Sequence, residues 1–327
     1  MKFLYKVFNL IISSEIEILH LPQLDFCDSQ NLNNLNLDVE IVLGQVPDLK
    51  EAGWGNTNYF FAENASCLIL QFLDVGRFLI QEGKKITVMP FGEPGLGTLS
   101  TFLMGSVMGG LLHQRGYFLL HGNAVVYNNQ AYIFAGESGA GKSTLAAAFS
   151  KAGAGVLSDD VSAIIFDESG QPWVLPAYPA MKLWQDAADY FSIETKDCHS
   201  VVARENKYHV PYQDIFCREP KRLAGIYVLE KKSEIFELVN LGILQKIENL
   251  ILHTHTKRYL DVMGLADQHL KNCLNLAKSC PIYKVNYPHH RHCKEALMKL
   301  VCPGLKKAAE KMDKKMDKKE QEELCHE

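Results

Sequence analysis

The stretch "FAGESGAGKST" (134–144) holds the residues whose types and spacing speak most directly of chemistry. Gly136-Glu137-Ser138-Gly139-Ala140-Gly141-Lys142-Ser143 fills the pattern G-x-x-x-x-G-K-[ST] at every position. Glycines let backbone N–H groups converge on phosphate oxygens, and a helix starting at the lysine adds a favourable dipole. Lys142 would reach the β- and γ-phosphates of a nucleotide, and the Ser143 hydroxyl, followed by Thr144, would serve Mg²⁺. Further along, "GVLSDD" (155–160) closes on Asp159 and Asp160. One carboxylate can hold a metal while the other accepts a proton from an incoming hydroxyl. The plainer reading of the pair is a solvated turn after a strand.

These groups need a frame. "AYIF" (131–134) reads as a short apolar strand and "STLAAAFSKA" (143–152) as a good helix former, which is the context a phosphate loop requires. With "GVLS" as the next strand, a strand–helix–strand unit puts both carboxyl ends on one edge of a parallel sheet, where ligands bind. Asn128-Asn129 inside "LLHGNAVVYNNQAYIFAG" marks a two-residue hairpin. A turn centred there sets His121 opposite Gly136, the first glycine of the loop. His121 could then touch the transferring phosphate or orient an aspartate; a hydrogen-bonded core histidine is the competing reading.

Residues 1–97 read as a β-rich N-terminal region. "MKFLYKVFNLIISS" is taken as a strand, since Lys6 interrupts its apolar run and no small-residue cleavage site follows. "LDVEIVL" places Leu37, Val39, Ile41 and Leu43 on one face, and "RFLIQEGKKITVM" suggests a hairpin around Glu82-Gly83-Lys84. "DSQNLNNLN" (28–36) looks like a surface loop. After "FGEPGLG" an apolar helix is expected from Leu99 to Gln114; its segment "TFLMGSVMGGLL" (101–112) is too short to span a bilayer and is read as buried, despite Gly105 and Gly109. Strands then alternate with helices, the mark of α/β organisation. "LADQHLKNCLNLAKSC" reads as an amphipathic helix leading into the strand "PIYKVNY", with "KEALMKLV" as a final helix. The charged tail, 305–327, is either a solvated helix or disordered.

The 327 residues carry a net charge of −4, which lends no support to nucleic-acid binding; an acidic ligand must be held by a local arrangement. Nine cysteines without a CxxC pair fit reduced thiols and a cytoplasmic location. "HTHTK" (253–257) and "PHHRHC" (288–293) lack a second cluster at ligand spacing, so no structural zinc site is expected.

"LLHGNAVVYNNQAYIFAGESGAGKSTLAAAF" followed by "GVLSDDVSAI" resembles HPr kinase/phosphorylase and its relatives, the HPr-kinase-like serine kinases, among them kinases of lasso-peptide precursors. The likeness is densest across 110–190 and extends more weakly to about 300, through "LPAYPAMKLWQDA", "KRLAGIYVL" and "CPIYKVNYP". It implies an α/β fold: a P-loop kinase core of the HPr kinase/phosphoenolpyruvate carboxykinase type over residues 98–304, with the β-rich region in front. It also implies ATP and Mg²⁺ as cofactors, with Asp160 as proton acceptor, Asp159 and Ser143 serving the metal, and His121 supporting the reacting groups. Two features depart from HPr kinases proper. Ser143-Thr144-Leu145-Ala146 replaces their Ser-Glu-Thr-Ala, and their glycine-containing loop downstream of the acids has no counterpart. HPr as acceptor and the reverse phosphorylase reaction are therefore not implied.

Between Asp160 and "KRLAGIYVL", Lys182, Arg204, Lys207 and His209 are candidates for acceptor contacts, whereas Trp184 and Tyr178 are read as packing. The expected activity is transfer of the ATP γ-phosphate to a hydroxyl, serine first among them, of a peptide or small-protein acceptor. A sugar or polyol kinase and a non-catalytic nucleotide-binding regulatory module stay open, as does homo-oligomeric assembly.

Overall fold

A computed structural model describes residues 2–24, 36–49, 57–190, 192–196, 198, 206–231 and 236–288. Most of the asparagine-rich stretch, Arg204, "KEALMKLV" and the charged tail fall outside them. The described chain is a mixed α/β protein with two large sheets.

The amino-terminal segment forms two strands where one was expected. β1 (Phe3–Val7) and β2 (Leu10–Ser14) pair antiparallel around Phe8 and Asn9, whose φ values are 51° and 59°. A two-residue turn of this kind needs positive φ at both central positions, which Gly or Asn usually signals. Here Phe8 accepts the conformation while its ring is buried to 1% exposure, so the core hides the turn from a reading of residue types. β3 (Val39–Leu43), β4 (Tyr59–Asn64), β5 (Cys67–Phe72), β6 (Gly76–Gln81) and β7 (Lys85–Pro90) complete a sheet of order β1-β2-β3-β7-β6-β5-β4. The β6–β7 hairpin turns through Glu82-Gly83-Lys84. On β3 the buried face consists of Val39 and Ile41; Leu37 and Leu43 at its margins are exposed.

Against this sheet lies α1, continuous from Leu96 to Gln114 and passing through a π turn at Leu103–Val107. At 19 residues it is longer than the apolar stretch marked in the sequence, and by length and composition alone it could cross a membrane; 61% of its apolar window is buried inside the protein. Leu103, Val107, Leu111 and Leu112 pack with Leu68, Phe78 and Ile80 of the sheet, and the same cluster takes in Leu119, Val161, Ala163 and Tyr259 from later elements. One apolar core therefore joins the amino-terminal sheet to the rest of the chain.

The second sheet carries the glycine loop. β8 (Phe118–Tyr127) turns through Asn128 and Asn129, at φ 48° and 60°, into β9 (Gln130–Gly136). Their register runs from Tyr127↔Gln130 to Gly122↔Ala135, the pairing expected from the asparagines. The loop leads into α2 (Lys142–Lys151), followed by β10 (Gly155–Ser158), β11 (Val161–Phe166), β12 (Pro172–Val174), β13 (Ala180–Trp184), α3 (Gln185–Tyr190) and β14 (Lys207–Pro211). β15 (Lys221–Glu230), β16 (Glu237–Asn240), α4 (Ile243–Leu252), α5 (Lys257–Val262), α6 (Ala266–Ser279) and β17 (Ile282–Asn286) finish the described chain.

The expectation of a parallel strand–helix–strand unit needs correction. β9, β15 and β17 are parallel neighbours, but β10 does not pair with β9. Both flank β8, and each is antiparallel to it. β9 and β10 thus point the same way with a reversed strand between them. Period-two alternation assigns the faces. Phe134, Tyr227 and Leu229 meet α2, whose Ala146, Ala147 and Ala148 permit a close approach. Ile133, Ala135, Ile226 and Val228 meet Leu250 of α4 and Leu276 of α6 on the other side.

β8 and β9 approach so closely at Gly122 that an added Cβ would lie 2.7 Å from the Phe134 carbonyl oxygen. Backbone cannot yield as a side-chain end can. Gly122→Ala is expected to lower stability by about 1–3 kcal/mol. Denaturant unfolding checks this, and an unchanged midpoint would show that the approach is not a constraint.

Candidate functional site: two carboxylates beside a glycine loop

Asp159 and Asp160 occupy a break in a strand rather than the end of one. The register Ser158↔Ala124 on β10 resumes as Val161↔His121 on β11, so both segments follow the same line along β8. Asp159 and Asp160 fill the interval opposite Asn123 and Gly122. Asp160 adopts φ 69°, a left-handed conformation that aspartate tolerates better than most residues. Its carbonyl accepts a hydrogen bond from the Gly122 N–H at 3.0 Å, which keeps the break tied to β8.

The two side chains have different surroundings. Asp159 is buried at 5% exposure. Its Oδ1 accepts from the Ser143 hydroxyl at 3.1 Å and from the Asn123 amide, and its Oδ2 accepts from the Lys182 backbone N–H at 2.8 Å. Asp160 faces the cleft. Its Oδ2 pairs with the Lys182 ammonium at 2.7 Å, and its Oδ1 lies 3.4 Å from His121 Nδ1. Burial and the neighbouring Asp160 charge push the Asp159 carboxyl up to about 6. Burial would raise Asp160 too, but the Lys182 ammonium overrides it and holds that carboxyl well below the ordinary aspartate range. Burial takes His121 down to about 4, against the pull of Asp160, so its ring is neutral near pH 7.

Positive φ at Gly139 (84°) and Gly141 (80°) shapes the loop, and an added Cβ on Gly136 would meet the Leu229 carbonyl oxygen at 2.8 Å. The Lys142 ammonium donates to the carbonyls of Gly136 and Glu137, each at 2.9 Å. Tyr287 pins the far side of the loop by donating its hydroxyl to the Ala140 carbonyl. Burial lowers the Lys142 pKa, while Asp160 and Asp159 work to raise it.

A cleft of about 490 Å³ brings together His121, Ser138, Lys142, Ser143, Thr144 and Asp160. Lys207, expected near the acceptor, is at its wall, with its ammonium 5.5 Å from the centre of the Trp184 ring. Trp184 is not packing, as its sequence context suggested: it ends β13, is 40% exposed and lines the cleft. Lys182, expected as an acceptor contact, instead has its ammonium committed to Asp160. His209 is buried and stacks on His20 at 4.2 Å. Asn123, Asp186 and Lys231 also line the cleft and were missed. A signal existed for Asn123 alone, two residues beyond His121 on the same strand and so on the same face. A second hollow of about 400 Å³ lies on the other flank of the loop, walled by Glu137, Ala140, Leu229, Asn249 and His253; Ser138 and Gly139 line both.

Among the described residues no three His, Cys, Asp or Glu side chains gather as a metal-binding group. The donor set here is of another kind. A carboxylate and a hydroxyl oxygen 3.1 Å apart suit a hard cation whose remaining ligands are phosphate and water, the common way of holding Mg²⁺.

No protein-family model and no curated protein matches this chain. Among solved structures it is similar to the Hpr(Ser) kinase/phosphatase from Coxiella burnetii, at 14% identity and a TM-score of 0.30, covering 64% of this chain and 98% of that one. That is a distant structural likeness.

A carboxyl lifted from 3.8 to about 6 binds its proton more tightly in the folded state than in the unfolded chain. Its contribution is fully present below pH 4 and is lost as pH rises through 6, a difference of up to ~3 kcal/mol. In buffer freed of divalent cations, Asp159→Asn should therefore melt a few degrees above the parent at pH 8. The gain should shrink towards pH 4. A variant equally destabilised at both pH values would show that folding does not raise the carboxyl's pKa.

Proposed function

We propose that this protein is an ATP- and Mg²⁺-dependent phosphotransferase that passes the γ-phosphate to a hydroxyl, with a serine of a peptide or small protein as the preferred acceptor. The observation that carries the reading is the meeting of a hydroxyl, two carboxylates and a lysine beside the glycine loop. Ser143, at the start of α2, is hydrogen-bonded to Asp159, and Asp160 opens onto the same cleft as Lys142 and the glycine loop.

In this reading the loop 136–143 is a P-loop, and its N–H groups together with Lys142 receive the β- and γ-phosphates. Ser143 and Asp159 would hold Mg²⁺. When bound, the cation offsets charge on the transferring phosphoryl group. The Asp160 carboxylate, ionised at neutral pH, takes the proton of the incoming hydroxyl. Its basicity is modest, which suits a transition state in which the nucleophile loses its proton late. Neutral His121 beside it orients that carboxylate and can hydrogen-bond the reacting oxygens. The hollow on the far flank of the loop is left for the nucleoside, so the loop separates the two reactants.

The paired acids favour this over a regulatory nucleotide binder, which needs no proton acceptor facing the phosphates. An exposed tryptophan with a lysine above it, beside Asp186, offers an acceptor more than a single small polyol would use, and that favours a peptide.

Two substitutions test the roles separately. Asp160→Asn is expected to cut transfer of labelled γ-phosphate to peptide and protein fractions at least 100-fold, with nucleotide affinity within about threefold of the parent. Lys142→Ala should weaken nucleotide binding itself. Transfer by the Asp160→Asn protein at the parental rate would remove Asp160 as the base.

A further inference from the structure

The structure assigns a third protein oxygen to the cation position, the carboxamide oxygen of Asn123; the assignment rests on the metal–nucleotide reading above. Asn123 is wholly buried at 0% exposure, on β8 directly opposite the break that holds the acids. Its Nδ2 donates to Asp159 Oδ1 and lies 3.4 Å from Ser143 Oγ. The amide nitrogen, the positive end of that group, thus sits against both oxygens that would share a cation. Its Oδ1 is buried and has no hydrogen-bond partner.

An unpartnered carbonyl in the interior is destabilising, a cost that an apolar side chain would avoid. Ala124 and Val125, next along the strand, are apolar and just as buried. If position 123 served packing alone, the same choice was open to it. Polarity retained there is explained if the oxygen is used, and amide carbonyl oxygens are ordinary ligands of hard divalent cations. A half-turn of the carboxamide exchanges its two ends. Oδ1 then comes to the place where Nδ2 now meets Asp159 and Ser143, and the hydrogen bond between Ser143 and Asp159 gives way to ligation. On this account Asn123 holds the two oxygens together without metal and joins them as a ligand with it.

A purely structural latch would use only the N–H donor, and one pair of variants separates the two roles. The full chain is titrated with a fluorescent ATP analogue, once in EDTA and once in Mn²⁺, and the ratio of the two dissociation constants reads the contribution of the metal. Asn123→Leu, which lacks the oxygen, should reduce that ratio at least tenfold. Asn123→Asp, which keeps an oxygen and loses the donor, should hold the ratio or raise it. A parental ratio in the Leu variant, or a loss in the Asp variant as large as in the Leu variant, would overturn the assignment. Should the Leu variant fail to fold, the Asp variant decides alone. A parent protein whose binding ignores Mn²⁺ would defeat the metal–nucleotide reading itself and is told apart from these results by that ratio.

Discussion

Adjacent aspartates repel, and the whole site depends on how residue 182 holds this pair apart in character while keeping it together in space. Lys182 gives its backbone N–H to Asp159 and its side-chain ammonium to Asp160. A dipole reaches the first acid and a full charge reaches the second. Both lower the acid they reach. The dipole does not offset burial and the Asp160 charge, which leave Asp159 raised to about 6. The ammonium overrides burial and holds Asp160 far below the usual range. Two chemically identical groups become a buried one that changes its charge readily and a cleft-facing one that stays ionised, which is how paired acids come to divide their work. β14 braces this arrangement, since its His209 pairs with Lys182 across the β13–β14 ribbon.

The strand break supplies the other half. In an unbroken β10–β11 strand, successive side chains would face opposite sides of the sheet, and only one acid could look towards the loop. Left-handed backbone at Asp160 turns that residue out of the alternation. Asp159 can then stay inside against Asn123 and Ser143 while Asp160 opens to solvent. β8 governs both sides of this geometry. One edge of it fixes the acids, and the other fixes β9 and with it the first glycine of the loop.

What the residues disclosed and what they hid follow from the range of each interaction. Asn128-Asn129 fixed the β8–β9 register because a two-residue turn determines its strand pairing locally. The turns of the glycine loop were legible because Gly136, Gly139 and Gly141 answer needs of the backbone itself. The insertion of β8 between β9 and β10 was not legible, since nothing in "GVLS" says which strand it will pair with. Lys182 reads in the sequence as a candidate acceptor contact; its partnership with Asp160 arises only when the β13–β14 ribbon lays it over the break. Trp184 misled for the same reason. A tryptophan in an apolar context is usually packing, yet here it ends a strand at the rim of the cleft. Phe8 concealed a turn because its burial overrode the turn preference of its type.

Charge makes the final connection between chain and site. An overall charge of −4 opposes an anionic ligand, so any attraction must be local. Lys142, Lys207 and Lys231 line the cleft against Asp160 and Asp186, and Lys182 already neutralises Asp160 from behind. The cleft is therefore more positive than its lining suggests, because one of its two acids is paired from outside it. Glycine N–H groups add to this without adding net charge. Lys142 ties the start of α2 back to the carbonyls of Gly136 and Glu137 at the loop's beginning. Tyr287 fixes the opposite side. A loop shaped in advance by its own lysine and by a distant tyrosine would lose little ordering entropy on binding, so the proposed anionic ligand would be held through geometry more than through bulk attraction.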